Sequence, residues 1–411
     1  MDQKPKLTEN KYLVVFAFVT SLFLLWGIAI TMGDVLNRKF QLVLNVSKAE
    51  SALVQFSIFG AYFIMGIPAG LFMKKYGYKK GVLLGLFLYA LGAFLFVPAS
   101  DAESFGFFRV ALFILACGLA TLETVAHPFI ASLGDQRASD QRINFAQSFN
   151  GVGAIIGPLI GKFLVFSPGA PNTLDSVKSL YIVIGIVIAA IGILFSFVKV
   201  PLLKDPHVIA NDSYAIAGDQ TVPKGLFQNK HFIFAVIAQL FNVAAQGGTW
   251  AFFINYGHEV MGLPDHDASG YFAVSMVMLM VGRFVGTFLM RFIAPHKLLA
   301  IFATGAILMC IIAAQGFGWA SFVALILINF FFSIMFPTIF SLGLKDLGKH
   351  TEQASSFIVM GVVGGALFPP IMGLIANTDV AKAYYLPIIC YAVIGLFGFL
   401  YPKLNKNIKR A

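Results

Sequence analysis

Charge is what this sequence has least of. Lys, Arg, Asp and Glu make up 12% of its 411 residues, about half the share of a soluble globular chain, where roughly 25% is usual. That shortfall excludes a water-solvated surface over most of the molecule. Cysteine is scarce too. Cys117, Cys310 and Cys390 sit inside apolar runs with no partner spacing, so they read as small core residues and indicate neither a disulfide framework nor a metal site. There is also no phosphate loop, no HExxH pair and no nucleophile placed beside a base. Those absences argue against a primary pump and a membrane-embedded enzyme, and the chain is read as not an enzyme. The net charge of +10 could suggest nucleic acid, but basic residues in so apolar a chain mostly set orientation, and no nucleic-acid partner is expected.

What fills the space is apolar sequence, 58% hydrophobic with a mean hydropathy of +0.83. Twelve apolar runs, from 12–36 to 383–401, are near the length of about 20 residues that a spanning helix needs. The reading is therefore an all-α integral membrane protein with twelve transmembrane helices and the lipid bilayer as its solvent. The basic N-terminus, MDQKPKLTENK, leads into a run too long for a signal-peptide core, and reads as an uncleaved first span. The longest connection, 201–229, is polar and turn-rich. It separates 1–200 from 230–411, two six-helix bundles joined by a cytoplasmic linker. Of the 29 Lys and Arg, 21 fall in the two termini and the even-to-odd loops, which puts both termini in the cytoplasm.

The two halves resemble each other. Asn10-Lys11 answers to Asn229-Lys230, Gly66 and Gly70 to Gly282 and Gly286, and PFIASLG from Pro128 to PTIFSLG from Pro337, at offsets of 219, 216 and 209 residues. An even number of spans precedes the second copy, so the repeats run parallel. Parallel six-span repeats with a site at the midplane are the pattern of the major facilitator fold.

Against that background the polar residues inside the runs stand out. Glu123, in GLATLETVAHPFIASLG (118–134), lies in a run with no other acid between 105 and 134. A charge at mid-span costs roughly 2.5–3.5 kcal/mol on insertion scales, so such a group normally serves function. A structural pairing is the alternative. His127 is four residues on and shares its helical face; it reads as a hydrogen-bonding core residue, a substrate contact or a proton relay for Glu123. A metal pair is weak with no third ligand nearby, and no metal site is called. Asp34, in the first run, is either a second coupling acid or the ion-pair partner of Arg38 one turn away. The repeat counterparts of Glu123 and Asp34 are Phe332 and a position near Phe253, so the fold does not demand acids there, which favours a coupling role. Gln147, Asn150, Gln246 and Asn255 supply carboxamides, and Trp26 and Trp250 flat apolar faces. Sugars need both kinds of group, although amides also bond neighbouring helices in membranes. Glycine-rich GVGAIIGPLIG (151–161) and GVVGG (361–365) read as faces of close helix approach. Arg283 in the eighth run reads as neutralising a helix end or an acid.

The segment GLFMKKYGYKKG (70–81) resembles the major facilitator signature loop, with Lys74 where an acid is usual. Trp26 with Asp34, FGAYFIMGIPAGLFMKK, LETVAHPF, NFAQSFNGVGAIIG, RFVGTFLMRFIAPHK and FPTIFSLGLKDLG followed by SSFIVM together resemble, in order and over essentially the whole chain, the fucose-galactose-glucose/proton symporter family. That resemblance implies proton-coupled symport of a monosaccharide, L-fucose or a related hexose, across a bacterial inner membrane by alternating access. It implies Glu123 and Asp34 as the proton-coupling acids and Trp26, Gln147, Asn150, Gln246 and Trp250 as cavity-lining residues. The chain departs from the family pattern at Ile30, Thr31, Met32 and Gly33, where an Asn-rich stretch is usual, and at His127, where an Asn is usual. Thr31, His127 and Asn255 join the substrate-binding candidates. No cofactor is called for. The coupling ion is a proton, with a sodium-coupled or uncoupled sugar carrier as the alternative, and the protein is expected to be a monomer.

Overall fold

The computed structural model describes residues 7–135, 139–168, 173–200, 225–345, 347 and 351–405. Most of the connecting segment 201–229 lies outside the described residues; its end, Leu226–Gln228, is a single 3-10 turn. All regular elements among the described residues are helical. Eleven stretches are long and apolar enough to cross a membrane. One of them, Lys48–Asp101, is two spans in continuation, so the expected twelve are present. Its break is at Gly77, with φ 83° and ψ 170°, a conformation only glycine adopts without strain. The glycine thus makes the turn inside GLFMKKYGYKKG.

The first span is Leu13–Leu44, the fourth Phe105–Ala131 and the fifth Ser139–Ile160. Asp175–Phe197 is the sixth, Asp265–Leu289 the eighth, Pro295–Ala314 the ninth and Leu386–Leu404 the twelfth. The other three are interrupted. The seventh runs Lys230–Ala251 and Phe253–Glu259, the tenth Trp319–Phe332 and Met335–Leu344, and the eleventh Thr351–Met360 and Gly364–Ala376 about a 3-10 turn. Phe197, Phe292 and Phe399 are 79%, 74% and 76% exposed. Such exposure is tolerable only because lipid, not water, is the solvent around a spanning helix.

The described residues fall into two compact units. The first draws on Met1–Met32, Ala61–Gly157 and Thr173–Gln220, the second on Gly33–Gly60, Pro158–Asn172 and Thr221–Ala411. The division therefore passes through the first, second and fifth spans. In the first unit the first and fifth spans touch backbone to backbone: a Cβ at Gly153 would meet the carbonyl of Leu24, and one at Gly157 the hydroxyl of Thr31. Glycine at these positions is what lets the two helices carry their polar side chains into one place. In the second unit Gly364 lies in the same way against the carbonyl of Leu240.

Candidate functional site

Glu123 lies in the fourth span one turn before Pro128. Proline has no N–H and clashes with the carbonyl four residues back, loosening the helix there. In this turn the Glu123 carbonyl meets Nδ1 of His127 at 2.9 Å. A carbonyl only accepts, so Nδ1 carries the proton. In the neutral ring Nε2 is then the acceptor, and it faces the Nε2 amide of Gln147 at 2.8 Å, which donates. The tautomer is fixed from both sides. An added proton on His127 Nε2 would point at the hydrogens of that amide, so the arrangement favours a positioning role over a relay. Phe23 sets its ring edge-on to the imidazole at 5.0 Å. Asn150, one turn beyond Gln147, donates to the carbonyl of Phe23 at 3.3 Å.

Glu123 as a residue is half-buried, and Tyr62 of the second span lies near its carboxyl. Tyr62 in turn accepts from the indole Nε1 of Trp26. Trp26, Tyr62, Glu123, His127, Gln147 and Asn150 thus form one cluster within the first unit. Thr31 belongs to the same unit but is fully buried, its hydroxyl turned back onto the carbonyl of Gly27 at 3.1 Å.

The remaining candidates are in the second unit. Asp34 is only 5% exposed and accepts from Nε2 of Gln55 at 2.9 Å. The alternative reading of Asp34, an ion pair with Arg38, is not formed: the Arg38 guanidinium goes to Asp265 at 2.9 Å. One turn of spacing allows an Asp–Arg pair on a helix, but a carboxylate at the start of the eighth span offers a better placed partner. Trp250 donates to Oδ1 of Asn329 at 2.7 Å, and Asn329 donates to Ser275, so both indole N–H groups of the candidate site are held by protein and their ring faces are left to pack. Gln246 is half-buried. Asn255 is fully buried and paired with Gln41, at 2.6 Å, and with Glu259. It stands in a polar network with Gln41, Ser51, Lys48 and Glu259, and not beside Trp250. Asn37 completes the network by donating to the carbonyl of Ala251 at 2.6 Å, which the break in the seventh span leaves without a helical partner. Arg283 reaches the carbonyl of Ser333 at 3.5 Å, at the break in the tenth span, in keeping with the helix-end reading.

Three residues that the sequence did not single out matter here. Tyr62 and Asn329 position the indoles, and Gln55 is the partner of Asp34. Tyr62 is one aromatic among many in an apolar run, and nothing in its spacing marks it. Gln55 and Asn329 are polar residues in apolar runs, the same signal that picked out Gln147 and Gln246.

The Major Facilitator Superfamily pattern matches residues 12–370. The L-fucose-proton symporter of Escherichia coli K12 is 38% identical over 95% of this chain and 93% of its own length. A glucose/galactose transporter of Brucella abortus is 32% identical over 96% of this chain and 95% of its own. Among solved structures, the E. coli fucose:proton symporter FucP superposes with a TM-score of 0.67 at 37% identity, covering 95% of this chain and 99% of that one. With the helix count, the repeat and the placement of the acids, these matches make the chain a member of the major facilitator superfamily, in the family that holds the L-fucose-proton symporters and glucose/galactose transporters.

Proposed function

We propose that this protein is a proton-coupled symporter that carries a monosaccharide, L-fucose or a related hexose, across the bacterial inner membrane by alternating access. It is a transporter and not an enzyme, works as a monomer in the bilayer with both termini in the cytoplasm, and needs no cofactor beyond its coupling ion. Segments 1–200 and 230–411 are its two bundles. Glu123 and Asp34 take up the proton, and Trp26, Gln147, Asn150, Gln246 and Trp250 hold the sugar, with Thr31, His127 and Asn255 as further candidates.

The observation that carries this reading is the polar cluster around Glu123. It sets a half-buried glutamate near a tyrosine that accepts from an indole, one turn from an imidazole–carboxamide pair. A hexose presents C–H faces that stack on indoles and hydroxyls that need donors and acceptors. A carboxyl in the same cluster makes proton and sugar binding mutually sensitive. Sequence identity to carriers named for fucose and for glucose and galactose supports the substrate class.

The test is counterflow in proteoliposomes with labelled L-fucose, D-galactose, D-glucose, D-mannose and N-acetylglucosamine, followed by uptake under a pH gradient with sodium replaced by potassium. At least one hexose should exchange, and it should accumulate with the proton gradient whether or not sodium is present. Accumulation that follows sodium would make the protein the sodium-coupled alternative. Exchange of none of the sugars would remove the substrate class.

A further inference from the structure

The two carboxamides of the fifth span, Gln147 and Asn150, are one turn apart and so lie on one side of their helix. Both give a nitrogen to the protein. Gln147 donates from Nε2 to His127 Nε2 at 2.8 Å, and Asn150 donates from Nδ2 to the carbonyl of Phe23 at 3.3 Å. A carboxamide is flat, with its donor on one arm and its acceptor on the other, so fixing the nitrogen fixes the direction of the oxygen. Among the described residues, neither Gln147 Oε1 nor Asn150 Oδ1 receives a hydrogen bond. Both residues are half-buried, and neither oxygen is enclosed.

The two amides are held differently. The Phe23 carbonyl only accepts, so Asn150 can meet it with nitrogen alone. His127 accepts in one tautomer only, and that tautomer is chosen because Nδ1–H is taken by the Glu123 carbonyl at 2.9 Å. A ring with its hydrogen on Nε2 would face the amide hydrogens of Gln147 and turn the group round, putting N–H where the oxygen now is.

We propose that His127 is a positioning residue that sets the hydrogen-bond polarity of the sugar site: by accepting from Gln147 it turns that carbonyl oxygen to the sugar beside the one of Asn150, and the fifth span offers the hexose an edge of two acceptors. The inference rests on the reading of Gln147 and Asn150 as sugar ligands. A sugar hydroxyl satisfies such an edge by donating. A hydrogen or a fluorine in its place cannot, and leaves the amide oxygen unpaired in a site closed around the ligand. A site built around a hydrogen bond rejects analogues that lack it far more strongly than one built on shape. Hexoses differ chiefly in the direction of their hydroxyls, so two acceptors at a fixed spacing sort them.

The experiment is competition by deoxyfluoro analogues against exchange of the labelled hexose that counterflow selects, in proteoliposomes. Fluorine is close to a hydroxyl in size and cannot donate. In the wild type, the analogue fluorinated at the hydroxyl that meets Gln147 should compete at least about tenfold less well than the parent sugar, the loss expected for an unpaired polar group in a closed site. In His127→Leu the Gln147 amide is free to turn its N–H to the fluorine, and the penalty at that position alone should shrink below about threefold. His127→Gln should restore it, because a glutamine carbonyl reaches about as far as Nε2 of the imidazole and accepts in its place. A histidine that only filled space would change the affinities of parent and analogues alike. A His127→Leu carrier with the wild-type penalty at every position overturns the proposal, and so does a His127→Gln carrier that behaves like His127→Leu. A second measurement does not depend on transport by any variant. In nitrogen NMR of the carrier with isotopically labelled histidine, the signals absent from His127→Gln should show hydrogen on Nδ1 and none on Nε2; hydrogen on Nε2 overturns the proposal as well. Gln147→Leu in the same competition assay tests the underlying reading. If it keeps the wild-type affinity for the parent hexose, Gln147 is not a sugar ligand and the proposal falls with that reading. If it loses affinity while His127→Leu keeps the penalty, only the role of His127 falls.

Discussion

Glu123 and Asp34 are both acids inside apolar helices, but they have opposite surroundings. Glu123 is half-buried and belongs to a cluster of polar groups, a phenol, an indole, an imidazole and two carboxamides. Asp34 is almost sealed, with the neutral amide of Gln55 donating to it. A proton carrier must meet water in one state and a dry interior in another, and an acid among several polar groups does this at less cost than one beside a single amide. The contrast favours Glu123 for the coupling proposed above, whereas a charge held on Asp34 without a counter-ion would cost several kcal/mol.

The sharpest way to break this contrast is Glu123→Gln. The glutamine keeps the length and a hydrogen-bonding carbonyl, and removes the titration. We expect the variant to exchange labelled sugar but to lose accumulation under a pH gradient altogether, as measured by counterflow and proton-driven uptake in the same proteoliposomes. Uphill uptake at the wild-type level would transfer the role to Asp34.

Asp265 is a third acid, and this one has a cation. The pair with Arg38 is largely buried, with side chains 8% and 14% exposed. Removing one partner of a buried pair is strongly destabilising, about 3–5 kcal/mol, because the other charge is left bare. His258 approaches Asp265 at 3.5 Å and would soften the loss, so Arg38→Ala should cost about 3 kcal/mol. Thermal unfolding in detergent checks this, with Lys48→Ala as the comparison. That side chain and its partner Glu259 are 16% and 33% exposed, a wetter pair, so the loss there should be smaller, about 1 kcal/mol. Equal losses would mean that burial does not separate the two pairs.

The fold was legible because a bilayer leaves few options: every run of apolar residues had to be a helix, and the even count before the second copy fixed a parallel repeat. The breaks were less so. The seventh and tenth spans are interrupted at Phe252 and at Ser333–Ile334, beside the repeat counterparts of Asp34 and Glu123. The tenth breaks where Pro337 has no N–H for the Ser333 carbonyl four residues back, and Arg283 reaches that carbonyl instead. The break at Phe252 holds no proline or glycine, and the carbonyl before it finds Asn37, which lies far off in sequence. Of the candidate site, Glu123, His127, Gln147 and Trp26 could be named because polar residues in apolar runs are conspicuous. Tyr62 could not, because a phenol shows its polarity only through its partners. The Asp34–Arg38 alternative failed for a related reason: helical spacing says which groups can meet, and says nothing of a better partner 227 residues away.

Asp34→Asn and Asp34→Leu separate packing from charge at the sealed acid. Asparagine still accepts from Gln55, so its stability should stay within about 1 kcal/mol of the wild type. Leucine strands a buried amide and should lose about 1–3 kcal/mol. If Asp34 also exchanges a proton during transport, the asparagine variant will accumulate less sugar than the wild type at equal stability. Uptake and thermal unfolding of both variants give the answer, and an asparagine variant as unstable as the leucine one would show that Asp34 is held by its charge.

The smallest effect belongs to an acid outside the spans. Asp379 caps the short helix Val380–Ala383: its side chain accepts from the backbone N–H of Lys382 at 3.0 Å, and its other oxygen lies 3.2 Å from the Lys382 ammonium. The backbone donor, ahead of the neighbouring lysine, holds the Asp379 carboxyl below the ordinary aspartate value of 3.8. A carboxyl shifted down in the folded state adds stability that is fully present above its unfolded value and disappears as pH falls through the folded one. Asp379→Ala should therefore cost about 1 kcal/mol at neutral pH, the usual loss for a helix cap, and progressively less as the solution is acidified below the range where the wild-type carboxyl is ionised. Asp379→Asn, a good cap without charge, should lose only a few tenths of a kcal/mol, and neither variant should alter proton-driven accumulation. Unfolding temperatures of the three proteins across acid pH decide it. A constant gap between wild type and Asp379→Ala would mean that the ionised carboxylate contributes nothing, and a loss of coupling in either variant would mean that the proton response is not confined to the acids within the spans.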